Sequence, residues 1–138
     1  MGGIQGCQSG LVAAEVVVTP PRISAGESVH VQVTLSLAGG AHWNNEVEPL
    51  RLWVRPAEGW TALPPYAVCV SPDAPTSDEP RSLEFEASAP EDAPDGLVRL
   101  SCYALYYLCE DAEGICSYLR LDIPVQVEVS GAAVKLKN

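Results

Sequence analysis

The chain has 138 residues, enough for one domain that buries a core of its own without depending on cross-links. It carries 18 acidic and 8 basic residues, and the resulting net charge of −10 disfavours nucleic acids and anionic membranes as partners. No stretch approaches the roughly 20 apolar residues that a membrane-spanning helix requires, so we expect no membrane insertion of this segment.

Apolar residues recur at every second position through most of the chain, which is the period of a half-buried strand. The pattern predicts strands over residues 12–18, 29–37, 50–55, 83–88, 97–108 and 116–129. Twelve prolines and eleven glycines separate these stretches, and no periodic segment of helix length remains. The sequence therefore predicts an all-β fold, an antiparallel immunoglobulin-like β-sandwich.

We expect one sandwich domain over residues 11–130, a tail or linker over residues 1–10 and a C-terminal tail over residues 131–138. Pro124 has no amide donor, so the last strand should be an edge or be locally unpaired there. The alternation predicts the following core residues: Val31, Val33, Leu35, Leu52, Phe85, Leu100, Leu121, Ile123 and Val127.

Two cysteines, Cys109 and Cys116, flank an acidic turn that ends at Gly114. In the two flanking strands, the apolar residues that face the core, among them Leu119, occupy alternate positions. Both cysteines fall between those positions and therefore lie on the outward face. Pairing Cys109 with Cys116 also aligns three further pairs: Tyr107 with Tyr118, Tyr106 with Leu119, and Ala104 with Leu121. Directly opposed strand residues have Cα atoms about 4.5–5.5 Å apart, a separation that a disulfide can span. We therefore expect a Cys109–Cys116 disulfide at the tip of the last hairpin.

The remaining cysteines are harder to assign, because an odd count of five leaves at least one thiol free or paired with another chain. Cys102 falls on the inward face and is predicted to be a buried free thiol. Cys69 could bridge to Cys7, although the sequence leaves that connectivity open. A persistent disulfide argues for an extracytoplasmic location, periplasmic or secreted, for this chain or for a larger or membrane-anchored protein that contains it.

Metal and cofactor chemistry finds no support in the sequence. His30 is predicted on a strand and His42 in a polar loop, and neither has clustered ligands at metal-binding spacing. Loops such as the one with His42 often bind partners, but loops whose Asn side chains satisfy their own turns are commoner. No nucleophile constellation, phosphate loop or dinucleotide fingerprint is present. We expect no cofactor, and the sequence does not define the oligomeric state.

The run Tyr106-x-x-Cys109-x-Asp111-Ala112-x-Gly114-x-Cys116 closes the last hairpin of a β domain. It resembles the N-terminal periplasmic domain of the DsbD family of thiol:disulfide interchange proteins, and related β domains are appended to thioredoxin-like and NHL-repeat proteins. The chain departs from that family in residues 71–80, which match its cap loop but contain no aromatic residue, and in the additional Cys69 and Cys102.

The resemblance implies a domain that passes electrons between a thioredoxin-like partner and extracytoplasmic proteins. Cys116, which matches the family's second cysteine, would form the mixed disulfide, and Cys109 would resolve it. The acidic turn opposes this role, since nearby carboxylates raise thiol pKa values. The alternative is a non-catalytic interaction or positioning module in which the disulfide is structural, since closing a loop of about eight residues stabilises a fold by roughly 2–3 kcal/mol.

Overall fold

The computed structural model describes residues 3–111 and 114–131, and every regular element within them is a strand. That part of the chain has no helix capable of crossing a membrane. In chain order the strands are β1 (Gly3–Ser9), β2 (Val12–Thr19), β3 (Arg22–Ser24), β4 (Ser28–Leu37), β5 (Ala41–Asn44), β6 (Leu50–Arg55), β7 (Thr61–Leu63), β8 (Tyr66–Cys69), β9 (Thr76–Ser77), β10 (Arg81–Ser88), β11 (Gly96–Glu110) and β12 (Ile115–Ser130).

The strands form two sheets that pack face to face as an immunoglobulin-like β-sandwich, which confirms the predicted fold class. The first sheet has the order β1-β2-β4-β10-β7. The second sheet has the order β3-β12-β11-β5-β9, and β6 pairs with β11 and with β8. The pairings are antiparallel apart from the parallel contact between β3 and β12.

The core lies between the sheets and follows the alternation of the sequence, because successive residues of a strand face opposite sides. In β4, for example, every second residue from Val29 to Leu35 is buried. Each such side chain contributes about 1.5–3 kcal/mol relative to an exposed one. All nine predicted core residues are at most 4% exposed: Val31, Val33, Leu35, Leu52, Phe85, Leu100, Leu121, Ile123 and Val127.

The open edge of β12 is covered by β1, which lies in a stretch that the sequence predicted as a tail. Strand β3 pairs only with residues 128–130, so β12 has no strand partner at Pro124 on that side among the described residues, as predicted. The Gln5 amide takes the place of a strand at Gln126, where Nε2 donates to the carbonyl and Oε1 accepts from the N–H, both at 2.9 Å. Residues 3–9 are therefore part of the sandwich.

The β11–β12 hairpin is the longest feature of the second sheet, and two strands share its other side. Near the middle of β11, residues 101–105 pair with β6. Near its tip, residues 108–110 pair with β5. Because β5 pairs with β11 next to the turn of the hairpin, the side chains of β5 are neighbours of the hairpin cysteines.

Candidate functional site at the hairpin tip

The hairpin has the register that the sequence predicted. Cys109 lies opposite Cys116, and the three further predicted pairs are also present. The two sulfurs are bonded at 2.05 Å, and the Cα atoms are 3.9 Å apart, closer than expected. Gly114 closes the turn with a φ of +63° and donates its N–H to the Glu110 carbonyl at 2.8 Å. Glycine suits this position because a left-handed backbone is costly for residues with a Cβ.

The two sulfurs differ in accessibility. Cys116 is exposed, whereas Cys109 is half-buried between Cys116 on β12 and β5 on its other side. On the opposite face, Leu119 is directed inward as predicted but remains 39% exposed. It borders a cavity of about 530 Å³ shared with the β1–β2 turn, so the first sheet does not cover the inner face of the hairpin tip completely.

His42 lies directly opposite Cys109 on β5, a neighbour that the sequence did not reveal. Its Nδ1 is 2.8 Å from Asp111 Oδ1 in the hairpin turn, and the Asp111 N–H donates to the Gly40 carbonyl at 2.9 Å. The sequence predicted His42 in a loop. The strand β5 that contains it has only four residues, too few for the alternation to stand out. The alternation of Ala41 and Trp43, both buried, was the available signal for a strand.

Residues 71–80, which match the cap loop of the DsbD family, pair with β5 through β9 and lie one strand away from Cys109. A buried arginine holds this segment in place. Arg81 is 4% exposed, and its guanidinium lies 5.2 Å from the Trp43 ring centre. It donates to Glu79 Oε2 at 2.6 Å and to Asn45 Oδ1 at 2.7 Å. The segment therefore supports β5, and Cys116 stays exposed.

The other three cysteines are unbonded. Cys102 is 3% exposed, and burial, with a smaller effect of Cys7, raises its pKa to about 12. The Cys7–Cys69 bridge considered from the sequence is not formed. Cys7 Sγ lies 3.7 Å from the Asp122 carbonyl of β12, whereas Cys69 is on β8, three strand positions away across the second sheet. Three spacings amount to about 14 Å, too far for a disulfide.

The described residues contain no group of three or more His, Cys, Asp or Glu side chains arranged to hold a metal ion. What the hairpin tip offers is sulfur chemistry: an accessible disulfide sulfur on Cys116, a second sulfur on Cys109, and a histidine, His42, opposite Cys109 in the strand register. A disulfide with an accessible sulfur can be opened by an attacking thiolate and closed again by the neighbouring thiol.

No family model and no curated protein matches the chain. Among solved structures, the GAE domain of yeast GGA1 is similar in fold, with 12% identity, a TM-score of 0.50, and coverage of 90% of this chain and 96% of that one. Two further solved structures are similar with lower TM-scores. Spo0M, a sporulation control protein from Bacillus subtilis, gives 0.41 at 14% identity over 89% of this chain and 51% of that one. AvmM, which catalyses macrocyclization in alchivemycin A biosynthesis, gives 0.37 at 13% identity over 88% and 90%. The likeness to the GAE domain shows the fold alone.

Proposed function

We propose that this chain is a thiol-disulfide exchange domain that uses Cys109 and Cys116 to pass electrons between a thioredoxin-like partner and extracytoplasmic proteins. The observation that carries the proposal is the exposure of Cys116 at a hairpin tip whose second sulfur, Cys109, lies beside His42. The motif from Tyr106 to Cys116, which resembles that of the DsbD family, supports the same function.

The reaction begins when a partner thiolate attacks Cys116 Sγ. A bond forms between the partner and Cys116, the Cys109–Cys116 bond breaks, and Cys109 leaves as a thiolate. The partner's second thiolate then attacks its own sulfur in the mixed disulfide and releases Cys116. The domain gains two electrons and the partner loses two. In the onward step Cys116 attacks a disulfide of the recipient protein, and Cys109 resolves the mixed disulfide.

His42 is the side chain best placed to handle the proton of the leaving sulfur. Histidine changes its charge near neutral pH, so an imidazolium beside Cys109 would stabilise the departing thiolate and protonate it. Asp111 would hold the ring through Nδ1 and leave Nε2 for this task. The pairing also gives the turn carboxylate a positive partner whenever the imidazole is protonated, which offsets its unfavourable effect on the thiolate.

The first test is the reduction potential of the pair together with its rate of reduction by reduced thioredoxin. An exchanging pair should lie above about −300 mV, in the range of oxidoreductase couples. Thioredoxin should reduce it faster than dithiothreitol does at equal thiolate concentration. The variant His42→Gln should slow this reaction, because the departing thiolate of Cys109 loses the imidazole on the neighbouring strand. His30→Gln, which changes a histidine on β4, is the matched control.

The attacked sulfur can be identified with single-cysteine variants. In Cys109→Ala, the Cys116 thiol is first converted to a thionitrobenzoate mixed disulfide, and a thioredoxin lacking its resolving cysteine is then added. We expect rapid release of thionitrobenzoate and a stable complex linked through Cys116. The corresponding Cys116→Ala variant, activated at the half-buried Cys109, should react more slowly. Equal rates, or a faster reaction at Cys109, would contradict the assigned roles.

The second candidate is a non-catalytic interaction or positioning module with a structural disulfide. The support of β5 by residues 71–80 favours it, because a hairpin tip flanked by a braced strand suits a rigid scaffold. In that case the potential should lie below about −300 mV. Cys109→Ala with Cys116→Ala should then only lower the free energy of unfolding, by about 2–3 kcal/mol.

A further inference from the structure

The outer face of the second sheet concentrates positive charge on a chain that is strongly acidic. Four of the eight basic residues, Arg51, Arg55, Arg99 and Arg120, are directed outward from β6, β11 and β12. The net charge of the whole chain is −10, so this arrangement is a local reversal of sign. Guanidinium groups clustered on one face provide a directional field for anions.

Three of these arginines line one groove, and two of the three lie over a single aromatic ring. The guanidinium carbon of Arg120 lies 3.9 Å from the ring centre of Tyr103, and that of Arg55 lies 5.4 Å from it. With Arg99 and Asp122, these residues line a groove of about 540 Å³ on the outer face. Stacking on Tyr103 holds two planar groups in position, so less conformational entropy is lost when they bind a ligand.

Ion pairs within the domain neutralise only part of this positive charge. Asp122 Oδ1 accepts from Arg120 at 2.9–3.0 Å, which neutralises one guanidinium. Within residues 3–111 and 114–131, Arg55 and Arg99 form no ion pair. Three arginines and one carboxylate leave the groove with an excess of two positive charges and with guanidinium donors that no described side chain occupies.

Aromatic side chains continue the surface away from the groove. Trp53 lies opposite Tyr103 and is 39% exposed, and its ring stacks at 4.3 Å on Tyr66, which is 38% exposed. Tryptophan, tyrosine and arginine are the residues enriched where proteins bind one another. A small inorganic anion would use the arginines alone, whereas a peptide would also contact the rings.

We propose that this groove binds an extended acidic peptide segment of a partner protein, with carboxylates on Arg55 and Arg99 and an apolar side chain against Trp53. The excess positive charge of the groove complements the carboxylates. A long polyanion such as nucleic acid is disfavoured because its charges would extend over a surface of net negative sign. The site is independent of the exchange chemistry: Tyr103 and Cys109 are six residues apart on β11, about 20 Å.

The probe is a fluorescein-labelled octapeptide of Glu, Asp and Gly that contains one Phe, and its control replaces every Glu and Asp by Gln and Asn. Fluorescence anisotropy should show binding of the acidic peptide that weakens as salt is added, and binding at least about tenfold weaker for the neutral peptide. The affinity should be the same for the oxidised and the reduced domain, so that a failure of the exchange proposal leaves this result unchanged.

The double variant Arg55→Gln with Arg99→Gln should weaken the acidic peptide at least about tenfold, since two charge-assisted hydrogen-bond partners are lost. Arg22→Gln is the control, because Arg22 is exposed, lies outside the groove lining and is already paired with Glu128 at 2.7 Å. Equal binding of both peptides, no binding of either, or undiminished binding by the double variant overturns the proposal. Displacement of the peptide by equimolar inorganic phosphate would replace it with a small-anion site.

Discussion

Cys102 and Cys109 lie on the same strand, seven residues apart, in opposite environments. Cys102 is 3% exposed and donates its S–H to the Ile123 carbonyl at 3.2 Å. Cys109 is on the outer face and is bonded to the exposed Cys116. An odd number of residues along a strand moves a side chain to the opposite face, and that parity alone separates an inert thiol from an accessible disulfide.

Distance from the first sheet is the second difference between these regions. Around Cys102, the first sheet covers the inward face of β11, and β12 and β6 pair with its two edges. At the tip, the inward residue Leu119 is 39% exposed. The hairpin therefore combines a rigid base with a tip that depends on β5 and on the disulfide, which suits a site where a partner must reach a sulfur.

The largest expected effect on stability comes from substituting alanine for a leucine on the inward face of this hairpin, and it depends on where along the hairpin the leucine lies. Leu100, at the base, is 1% exposed, and Leu119, at the tip, is 39% exposed. We expect Leu100→Ala to lower the free energy of unfolding by about 2–5 kcal/mol, because it leaves a cavity in a packed core. Leu119→Ala should cost less than about 1 kcal/mol. Urea unfolding followed by fluorescence measures both, and equal losses would mean that the tip is packed as tightly as the base.

The register of this hairpin could be predicted because a slip of one residue would have exposed every inward side chain. Only one register buries Leu100, Cys102 and Ala104 together. That register also places the two hairpin cysteines opposite each other. The core residues could be predicted for the same reason. Burial of a face is a property that the sequence pattern carries directly.

Three other features could not be predicted, because each depends on contacts between residues far apart in the chain. Strand β1 has two glycines and two glutamines in its seven residues, so its pattern resembled a tail. Its place depends on pairing with β2 along its whole length and on Gln5 bonding to Gln126. The position of His42 opposite Cys109 requires β5 to pair with β11. Arg81 is charged and was not predicted to be buried, yet Trp43 and Asn45 provide its surroundings.

A second prediction uses the titration of Cys102. Its pKa in the folded protein is about 12, above the ordinary value of 9.0, because burial disfavours the thiolate. The unfolded chain ionises first as pH rises, so the stability that Cys102 contributes is complete below about pH 9 and is lost as pH approaches about 12. Cys102→Ala should therefore cost about 1 kcal/mol at neutral pH and progressively less in alkaline solution.

Urea unfolding of both proteins at the same series of pH values checks this prediction, and the groups that they share cancel in the difference. Cys69→Ala is the matched control, because Cys69 is a half-buried thiol on β8 rather than part of the buried core. A difference for Cys102→Ala that stays constant with pH would show that its thiol ionises equally in the folded and the unfolded chain.

The smallest expected effect concerns the support of β5 on the side away from the hairpin. Partial burial acts to raise the pKa of Glu79, but hydrogen bonds from Ser77, from its own amide and from Arg81, with the charge of Arg81, outweigh burial and lower the pKa. A carboxyl group with a lowered folded-state pKa contributes stability above its unfolded pKa and loses that contribution as pH falls through the folded value.

Glu79→Gln should therefore be less stable than the unsubstituted protein at neutral pH, and the two should converge in acid. The difference should stay below about 1 kcal/mol because the Glu79 side chain is 43% exposed and solvent screens the pair. Glu86→Gln, an exposed carboxylate-to-amide change on β10, is the matched control. If the unfolding free energies of the two proteins remain equally separated down to acid pH, the Glu79 carboxyl ionises equally in the folded and the unfolded chain, and its contacts with Ser77 and Arg81 do not lower its pKa.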